Sequence, residues 1–339
     1  MGFNQDKEME RKHMQNIILP LNLDPPIKGY QHHAYKLGVL LAEDDRYMNF
    51  LYNRYIQLQY IPKNACGFNF YCGVWEFPFF FFESEYIQMS TLAALKVSVL
   101  DYIWEKLSMG YYVLCDFDEY YVRGKKSYMK MHFIHDTLIY GSENGCFILA
   151  GYDESNHYGV QKIANEDFEK AFWSVYDEKK KDRRSRIIAF KRKPRTEDIN
   201  INLISSLLYD YINSCNTATR NYFYDISGEN NLFGLAACKK LKESIYERID
   251  VRFFHIFWEH KDLMQKRVRH LINLGYIKEY RDEAYREIVH KALILRNIAI
   301  KLRIRDSEKE KERAVNLIES INNSEKEILK CVLHDIYMK

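Results

Sequence analysis

His135 is the residue of this sequence best placed to do chemistry, because it stands at the entrance of the apolar run 134–140. An imidazole can take the proton of a nearby thiol, and the thiolate formed is the nucleophile of Cys-His chemistry. A third group, Asp or Asn, must hold the imidazole in the correct tautomer. Asp153, just past the next apolar run, fits that role. The sequence therefore predicts His135 as a base and Asp153 as its orienting acid, with His132 as the alternative base.

Short strands must position these side chains. Asn144 and Gly145 join two apolar runs, and Asn-Gly is typical of the two-residue turn of a β-hairpin. Such a hairpin would bring Asp153 close to the strand entrance at His135. The strands that the apolar runs predict cover residues 111–116, 119–123, 134–140, 146–152 and 158–162, with a further strand at 187–190.

Helices account for most of the remaining chain. Ser307 and Ser324 are each followed by a glutamate at the third position, which is the pattern of a capping box at a helix start. The helices predicted begin near Gln31, cover 91–109, begin again at Asn165 and then fill most of the chain from Thr196 onward. We therefore expect a mixed α+β domain over 1–195 and a helical domain over 196–339, with one core shared by both as the alternative.

Composition limits the classes of protein to which this chain can belong. The 339 residues carry 50 basic and 47 acidic side chains, and this net charge of +3 gives no reason to expect a nucleic-acid partner. Seven cysteines without a C-x-x-C pair predict reduced thiols in a cytoplasmic protein. The polar stretch 1–15 lacks the apolar run of a secretion signal. The apolar run within 75–83 is far shorter than the ~20 residues that cross a bilayer, so we expect no membrane partner.

Several segments follow one another in an order known from a protein family. They are 28–35, 110–118, 132–135, 140–141, 146–153, 230–235, 250–255 and 259–261. In this order of elements, over about four-fifths of its length, the chain resembles the butirosin-biosynthesis protein H N-terminal family. Members of that family are papain-like proteins that move acyl groups from carrier-protein thioesters onto amines. A relative of the same architecture forms amide bonds in thioamide antibiotic assembly.

The resemblance implies both a fold and a function. The fold would be α+β, with a papain-like (cysteine-protease-like) antiparallel sheet plus helices, followed by a helical C-terminal part. The function would belong to natural-product biosynthesis of the peptide or aminoglycoside type. An acyl or peptidyl carrier protein and a small-molecule amine or peptide would be the partners, and neither a cofactor nor a metal is implied. Of the family's catalytic residues, the base carries over to His135.

The chain departs from the family at the nucleophile. In the family a cysteine opens the first helix, whereas the first cysteine of this chain is Cys66. Cys72 lies among aromatic residues without a positive neighbour. Cys115 is a poor substitute, because burial in a strand and the carboxylate of Asp116 both raise the pKa of a thiol. The cleft position of the missing nucleophile is held here by Tyr30, Gln31, His32 and His33.

Lysines and arginines cluster over 179–195, around the predicted strand 187–190. A solvated loop on either side of that strand accounts for the pattern. The alternative is a site for an anionic partner, such as the phosphopantetheine-bearing surface of a carrier protein.

Three hypotheses for function remain open at this point. The first is an acyl- or peptidyl-transferring enzyme that uses a rearranged site around His135. The second is a non-catalytic accessory protein that binds a carrier domain, a peptide or a product in the inherited cleft. The third is a metal-dependent or ligand-binding reuse of the same cleft, in which His32, His33, His132 and His135 are the candidate metal ligands.

Overall fold

The computed structural model describes residues 16–42, 45–72, 81–176, 186–220, 228 and 230–339. Within these ranges the chain is α+β, as the sequence predicts. Contacts divide it into two compact units, of which the first comprises residues 1–44 and 77–195, and the second 45–76 and 196–339. The first domain predicted from the sequence therefore loses residues 45–76 to the second unit. The reason is that this segment packs on helices of the range 196–339.

Strands and helices are numbered here in chain order over the described residues. The strands are β1 (Ile17–Ile18), β2 (Leu58–Tyr60), β3 (Phe68–Phe70), β4 (Phe82–Gln88), β5 (Tyr112–Asp118), β6 (Ile134–Glu143), β7 (Cys146–Tyr152), β8 (Tyr158–Ala164), β9 (Arg186–Arg192) and β10 (Leu232–Phe233). The helices are α1 (Gln31–Leu40), α2 (Met48–Arg54), α3 (Met89–Leu95), α4 (Val99–Ser108), α5 (Asn165–Trp173), α6 (Ile201–Asn213), α7 (Gly234–Glu247), α8 (Val251–Asn273), α9 (Arg281–Ile304) and α10 (Glu308–Tyr337).

The first unit is built on an antiparallel sheet. Its strands lie in the order β4-β9-β5-β6-β7-β8, and β1 pairs with β6. The turn between β6 and β7 is the predicted hairpin, with positive φ at both Asn144 (51°) and Gly145 (72°). The strand predicted over 119–123 is wrong, because Asp118 accepts a hydrogen bond from the Tyr120 N–H (3.0 Å) and starts a short 3-10 helix, Glu119–Tyr121.

The helix predicted over 91–109 is two helices. α3 ends where Lys96 adopts a left-handed backbone (φ 54°), and Ser98 caps the start of α4, since its Oγ accepts from the Asp101 N–H at 3.3 Å. α4 and α5 bury their apolar faces against the sheet, as shown by Phe168 and Phe147, whose ring centroids are 5.0 Å apart.

Packing in this core fixes the position of the first residues of β6, which include His135. Phe117 of β5 is fully buried in the core and lies opposite His135 in the register of β5 and β6. Because a slip of one residue would turn Phe117 out of the core, the pairing also fixes the place of His135. The core therefore determines the position of the predicted base.

The second unit combines a three-stranded sheet, in the order β10-β2-β3, with α2 and the helices α6 to α10. Ser307 caps α10, since its Oγ accepts from the Glu310 N–H at 3.4 Å. The helix start predicted at Ser324 is wrong, because α10 continues through it. Buried residues on both sides, Ile321 and Leu329, keep one packed face across that position.

Arg267 of α8 anchors the C-terminal end of α2 through hydrogen bonds. Its guanidinium is buried and donates hydrogen bonds to the carbonyl oxygens of Leu51 (3.0 Å), Tyr52 (2.7 Å) and Tyr55 (2.7 Å) at the C-terminal end of α2. The positive charge lies at the C-terminal end of the helix dipole and therefore stabilises the helix end.

We expect Arg267→Met to lower the free energy of unfolding by about 3 kcal/mol, because it removes three hydrogen bonds that a buried guanidinium donates to carbonyl oxygens. Urea unfolding followed by circular dichroism measures this. Arg269→Met is the matched control, since the Arg269 side chain on the same helix is 54% exposed and bonds Asp282 at the surface. Equal losses in the two variants would contradict the anchoring role of Arg267.

Candidate functional site

Gln31 is the first residue of α1 and lies beside the predicted base. Tyr30 before it is extended (φ −125°, ψ 132°), so α1 starts at Gln31 with its side chain turned inward. The Nε2 atom of Gln31 donates to the main-chain oxygen and to Oδ1 of Asp136, both at 2.8 Å. The same atom lies 3.1 Å from Nε2 and 3.3 Å from Nδ1 of His135. An amide thus occupies the place beside the base where a nucleophile would be needed.

His135 is oriented by Glu119. The Nδ1 atom of His135 lies 3.1 Å from Oε1 of Glu119, whose side chain is 9% exposed. Because a carboxylate accepts and cannot donate, we assign the proton of the neutral ring to Nδ1, which leaves the lone pair on Nε2. The imidazole therefore has the tautomer that a general base requires, and its Nε2 faces the amide of Gln31.

Asp153, which the sequence predicts as the orienting acid, lies in a local turn instead. Its Oδ1 accepts from the backbone N–H groups of Ser155 (2.9 Å) and His157 (2.8 Å). The carboxylate of Asp153 is thus bound within its own turn, and it is not among the partners that His135 has in the described residues. The carboxylate that orients His135 belongs to Glu119. The sequence does not predict this role, because the pattern over 119–123 predicts a strand. The acidic pair Asp118-Glu119 at the end of a buried strand is the signal in the sequence that points to it.

The other three residues predicted at the nucleophile position have different neighbours. Tyr30 stacks on His32 with ring centroids 5.5 Å apart, and the ring of His33 lies 4.3 Å from that of His32. Burial, followed by the charges of His33 and Lys36, lowers the pKa of His32, so it is neutral at pH 7. Among the described residues, the hydrogen-bond and ion-pair partners of His135 are Gln31, Glu119 and Asp136.

His132, the alternative base, has a carboxylate of its own. Its Nδ1 lies 2.5 Å from Oδ2 of Asp118, and its ring stacks on Tyr120 at 4.4 Å. Burial alone would raise the pKa of Asp118, but hydrogen bonds from His132 and from the backbone N–H groups of Tyr120 and Phe133 hold it below its usual value. His132 and His135 are therefore held by two different acids.

The low pKa of Asp118 makes a contribution to stability that depends on pH. The contribution is present above the unfolded pKa of about 3.9 and is lost as the pH falls through the lower folded value. We expect Asp118→Asn to cost about 1–3 kcal/mol at neutral pH and much less near pH 2. Unfolding measured across this range checks it, with Asp167→Asn, a change at an exposed carboxylate, as control. A cost that stays constant with pH would contradict the assignment.

A buried lysine completes the charged groups of the site. Nζ of Lys125 donates to the main-chain oxygen of Tyr152 at 2.7 Å and lies 3.6 Å from Oε1 of Glu119. Burial lowers the pKa of Lys125, and the charges of Glu119 and Asp136 act in the opposite direction. Glu119 thus lies between two basic side chains, Lys125 and His135.

No cysteine is among the hydrogen-bond and ion-pair partners that His135 has in the described part of the chain. Cys115 is buried in β5, and burial followed by the charges of Asp116 and Asp136 raises the pKa of its thiol, as the sequence predicts. Cys66 and Cys72 belong to the second unit. All seven cysteines, each within the described ranges, are thiols.

Two further predictions concern metals and membranes. No cluster of three or more His, Cys, Asp or Glu side chains suited to a metal ion occurs among the residues that the structure covers. No helix in the described ranges has both the length and the apolar character needed to cross a membrane.

Residues 179–185 of the basic segment lie outside the described residues, as does most of the aromatic run 75–83, whereas 186–195 are described. β9 includes the strand predicted at 187–190 and thereby confirms it.

Comparison with known proteins gives this chain no family by sequence. It matches no protein-family model, and no curated protein is similar enough to count as a relative. A proposal for the function therefore has to be tested against the geometry of the site.

Proposed function

We propose that this chain is a non-catalytic binding protein of natural-product biosynthesis with a papain-like first unit. In this proposal the cleft at Gln31 and His135 holds a group presented by an acyl or peptidyl carrier protein, a peptide or a small amine product. The observation that carries the proposal is the 3.1 Å distance between Nε2 of Gln31 and Nε2 of His135. The base faces an amide, and an amide nitrogen is not a nucleophile that a histidine can activate.

The surroundings of Gln31 support a binding role. Only 6% of the Gln31 side chain is exposed, and its two hydrogen bonds to Asp136 fix the amide in place. Its Oε1 is buried and has no hydrogen-bond partner within the described ranges, so it remains able to accept from a ligand. A rigid polar group with an unmet acceptor favours recognition of a ligand over turnover.

Binding of a carrier protein tests the proposal. The probe is an acetyl-loaded acyl carrier protein, titrated onto the full chain by calorimetry. We expect saturable binding that Gln31→Leu, similar in size but without the amide, weakens by about tenfold or more. Gln88→Leu, at an exposed glutamine of the same unit, should leave the affinity unchanged. Failure of the loaded carrier and of the free acetylated phosphopantetheine arm to bind would contradict the carrier assignment.

One observation favours a second candidate, an acyl- or peptidyl-transferring enzyme. His135 keeps the orientation of a general base through Glu119 at 3.1 Å, so it could take a proton from the attacking amine. Such an enzyme would form amide product from a thioester and an amine, and His135→Ala would abolish that product. Amide formation by the wild-type chain from a thioester and an amine therefore separates the two candidates, since only the enzyme would form this product.

A further inference from the structure

The loop between the 3-10 helix and β6 carries large apolar side chains that are exposed to solvent. Met129 is 62% exposed, Met131 is 59% exposed and Phe133 is 43% exposed. Single exposed apolar residues are ordinary on a protein surface, but here three of them fall within five residues of one loop. Exposed apolar side chains that occur together commonly mark a place where another molecule binds.

Hydrogen bonds hold this loop in a defined shape. The N–H of Met129 donates to the main-chain oxygen of Tyr120 at 3.0 Å, and the N–H of Met131 donates to the main-chain oxygen of Ser127 at 3.2 Å. The side chain of Ser127 is buried, so the middle of the loop is attached to the first unit. A preformed loop has little conformational freedom to lose when a partner binds, which favours binding at its exposed side chains.

Basic side chains surround the apolar ones. Residues 120–135 contain no aspartate or glutamate. Lys130 is exposed between Met129 and Met131 in the chain. Together the exposed basic and apolar side chains form the outer loop surface, which comprises Arg123, Lys126, Met129, Lys130, Met131 and Phe133. A partner that complements this surface has carboxylates around an apolar centre.

The acidic side chains near the loop do not cancel the charge of this surface. Asp118 and Glu119 are buried at the base of the loop, and each pairs with a basic side chain. Two acids of the turn after β7 lie near the first residues of the loop, where the Glu154 N–H donates to the main-chain oxygen of Gly124 at 2.9 Å. Positive charge therefore remains at Lys130, among the exposed apolar side chains.

The outer loop surface adjoins the candidate site. The loop joins Glu119 to His135, and both residues belong to that site. The ring centroids of Phe133 and His135 are 5.3 Å apart. A partner that covers Phe133 would therefore lie at the edge of the cleft that contains Gln31.

The position of the surface favours a carrier protein over a membrane. Anionic lipids also attract cations and apolar side chains, but a bilayer has no group that extends into a polar cleft. A carrier protein has a folded surface for the loop and a phosphopantetheine arm for the cleft. Methionine side chains adapt to the shape of a partner, which suits a protein surface.

We propose that the outer loop surface docks an acidic face of the carrier protein, so that the arm of the carrier reaches Gln31 and His135. Carboxylates of the carrier pair with Lys130 and its basic neighbours, and apolar carrier residues cover Met131 and Phe133. This inference rests on the proposed function and adds to it the surface that recognises the partner.

An acidic acyl carrier protein in its apo form, which lacks the arm, tests the surface alone. Calorimetry with the full chain at low salt should show saturable binding. We expect Lys130→Glu and Met131→Ser each to weaken this binding by about fivefold or more. Binding should also weaken as the salt concentration rises, because salt screens exposed charges.

Two neighbouring residues at the other side of the sheet supply matched controls. Leu95, which is 67% exposed, and Lys96 lie at the end of α3, which packs on the edge strand β4. Leu95→Ser and Lys96→Glu repeat the same chemical changes away from the loop. Both should leave the affinity for the apo carrier within about twofold of wild type.

Three results would overturn the docking surface: no binding of the apo carrier, wild-type affinity in both Lys130→Glu and Met131→Ser, or binding of phosphatidylserine vesicles without binding of the carrier. Binding of the free acetylated phosphopantetheine arm, and its loss in Gln31→Leu, is measured separately and decides the proposed function. The docking surface and the proposed function can therefore fail independently.

Discussion

Gln31→Cys is expected to create a reactive thiol in a protein that otherwise has none at this site. The introduced sulfur would stand at the first residue of α1, where the partial positive charge of the helix N-terminus stabilises an anion. It would also lie beside His135, which Glu119 orients. Thiols in such surroundings have pKa values of about 3.5–7.5, compared with about 8.5 for a free cysteine.

Alkylation by iodoacetamide measures this effect. At pH 7 we expect the introduced thiol to react at least about tenfold faster when His135 is present than in Gln31→Cys combined with His135→Ala. Mass spectrometry of the peptide that carries position 31 separates this reaction from that of the seven native thiols. Gln31→Ser, which has the size of cysteine, shows by thermal unfolding whether the smaller side chain is tolerated. Equal rates with and without His135 would mean that position 31 is not the vacated nucleophile position.

The second large effect is expected in the helical unit, at a buried charge pair. Lys261 Nζ lies 2.7 Å from Oε2 of Glu325, and both side chains are fully buried. The hydroxyl of Tyr211 donates to the same carboxylate at 2.7 Å, and that of Tyr285 donates to its other oxygen. Nδ1 of His260 lies 3.3 Å from the lysine. The charges of Lys261 and Glu325 therefore compensate each other, and the neighbouring polar groups hold the pair in place.

We expect Lys261→Met to cost about 3–5 kcal/mol of unfolding free energy, because it leaves the carboxylate of Glu325 buried without its cation. Glu325→Gln should cost a similar amount for the reverse reason. The double variant should cost less than the sum of the two, since it removes both charges. Urea unfolding of the three variants by circular dichroism measures the coupling.

Lys330→Met is the control for this network. Lys330 lies on the same helix as Glu325, but its ion pair with Glu327 is exposed on both sides, so we expect no measurable change in stability. Costs that simply add in the double variant would show that Lys261 and Glu325 do not compensate each other.

The fold was predictable from sequence where one local rule decided the outcome. Asn144-Gly145 specified the hairpin because few other dipeptides tolerate two positive φ angles. Ser307 specified a helix start because its hydroxyl accepts a hydrogen bond from a backbone N–H of the first helical turn. Ser324 has the same capping pattern but lies inside α10, because packing of the residues around it outweighs a local cap.

The site was predictable only in part. His135 and Gln31 were among the residues expected in the cleft, and the structure brings these two together. Glu119 was missed because its side chain reaches His135 only through the turn that Asp118 starts, and that turn was predicted as strand.

The most direct test of the central claim is the intact mass of the wild-type chain after incubation with an acyl-thioester donor and an amine. S-acetyl-N-acetylcysteamine is a suitable donor, and Gln31→Cys is the positive control. If Gln31 replaces the nucleophile, the wild-type chain acquires no acyl group and forms no amide, whereas Gln31→Cys acquires one acyl group that depends on His135. An acyl adduct or amide product from the wild-type chain, lost in His135→Ala, would contradict the account.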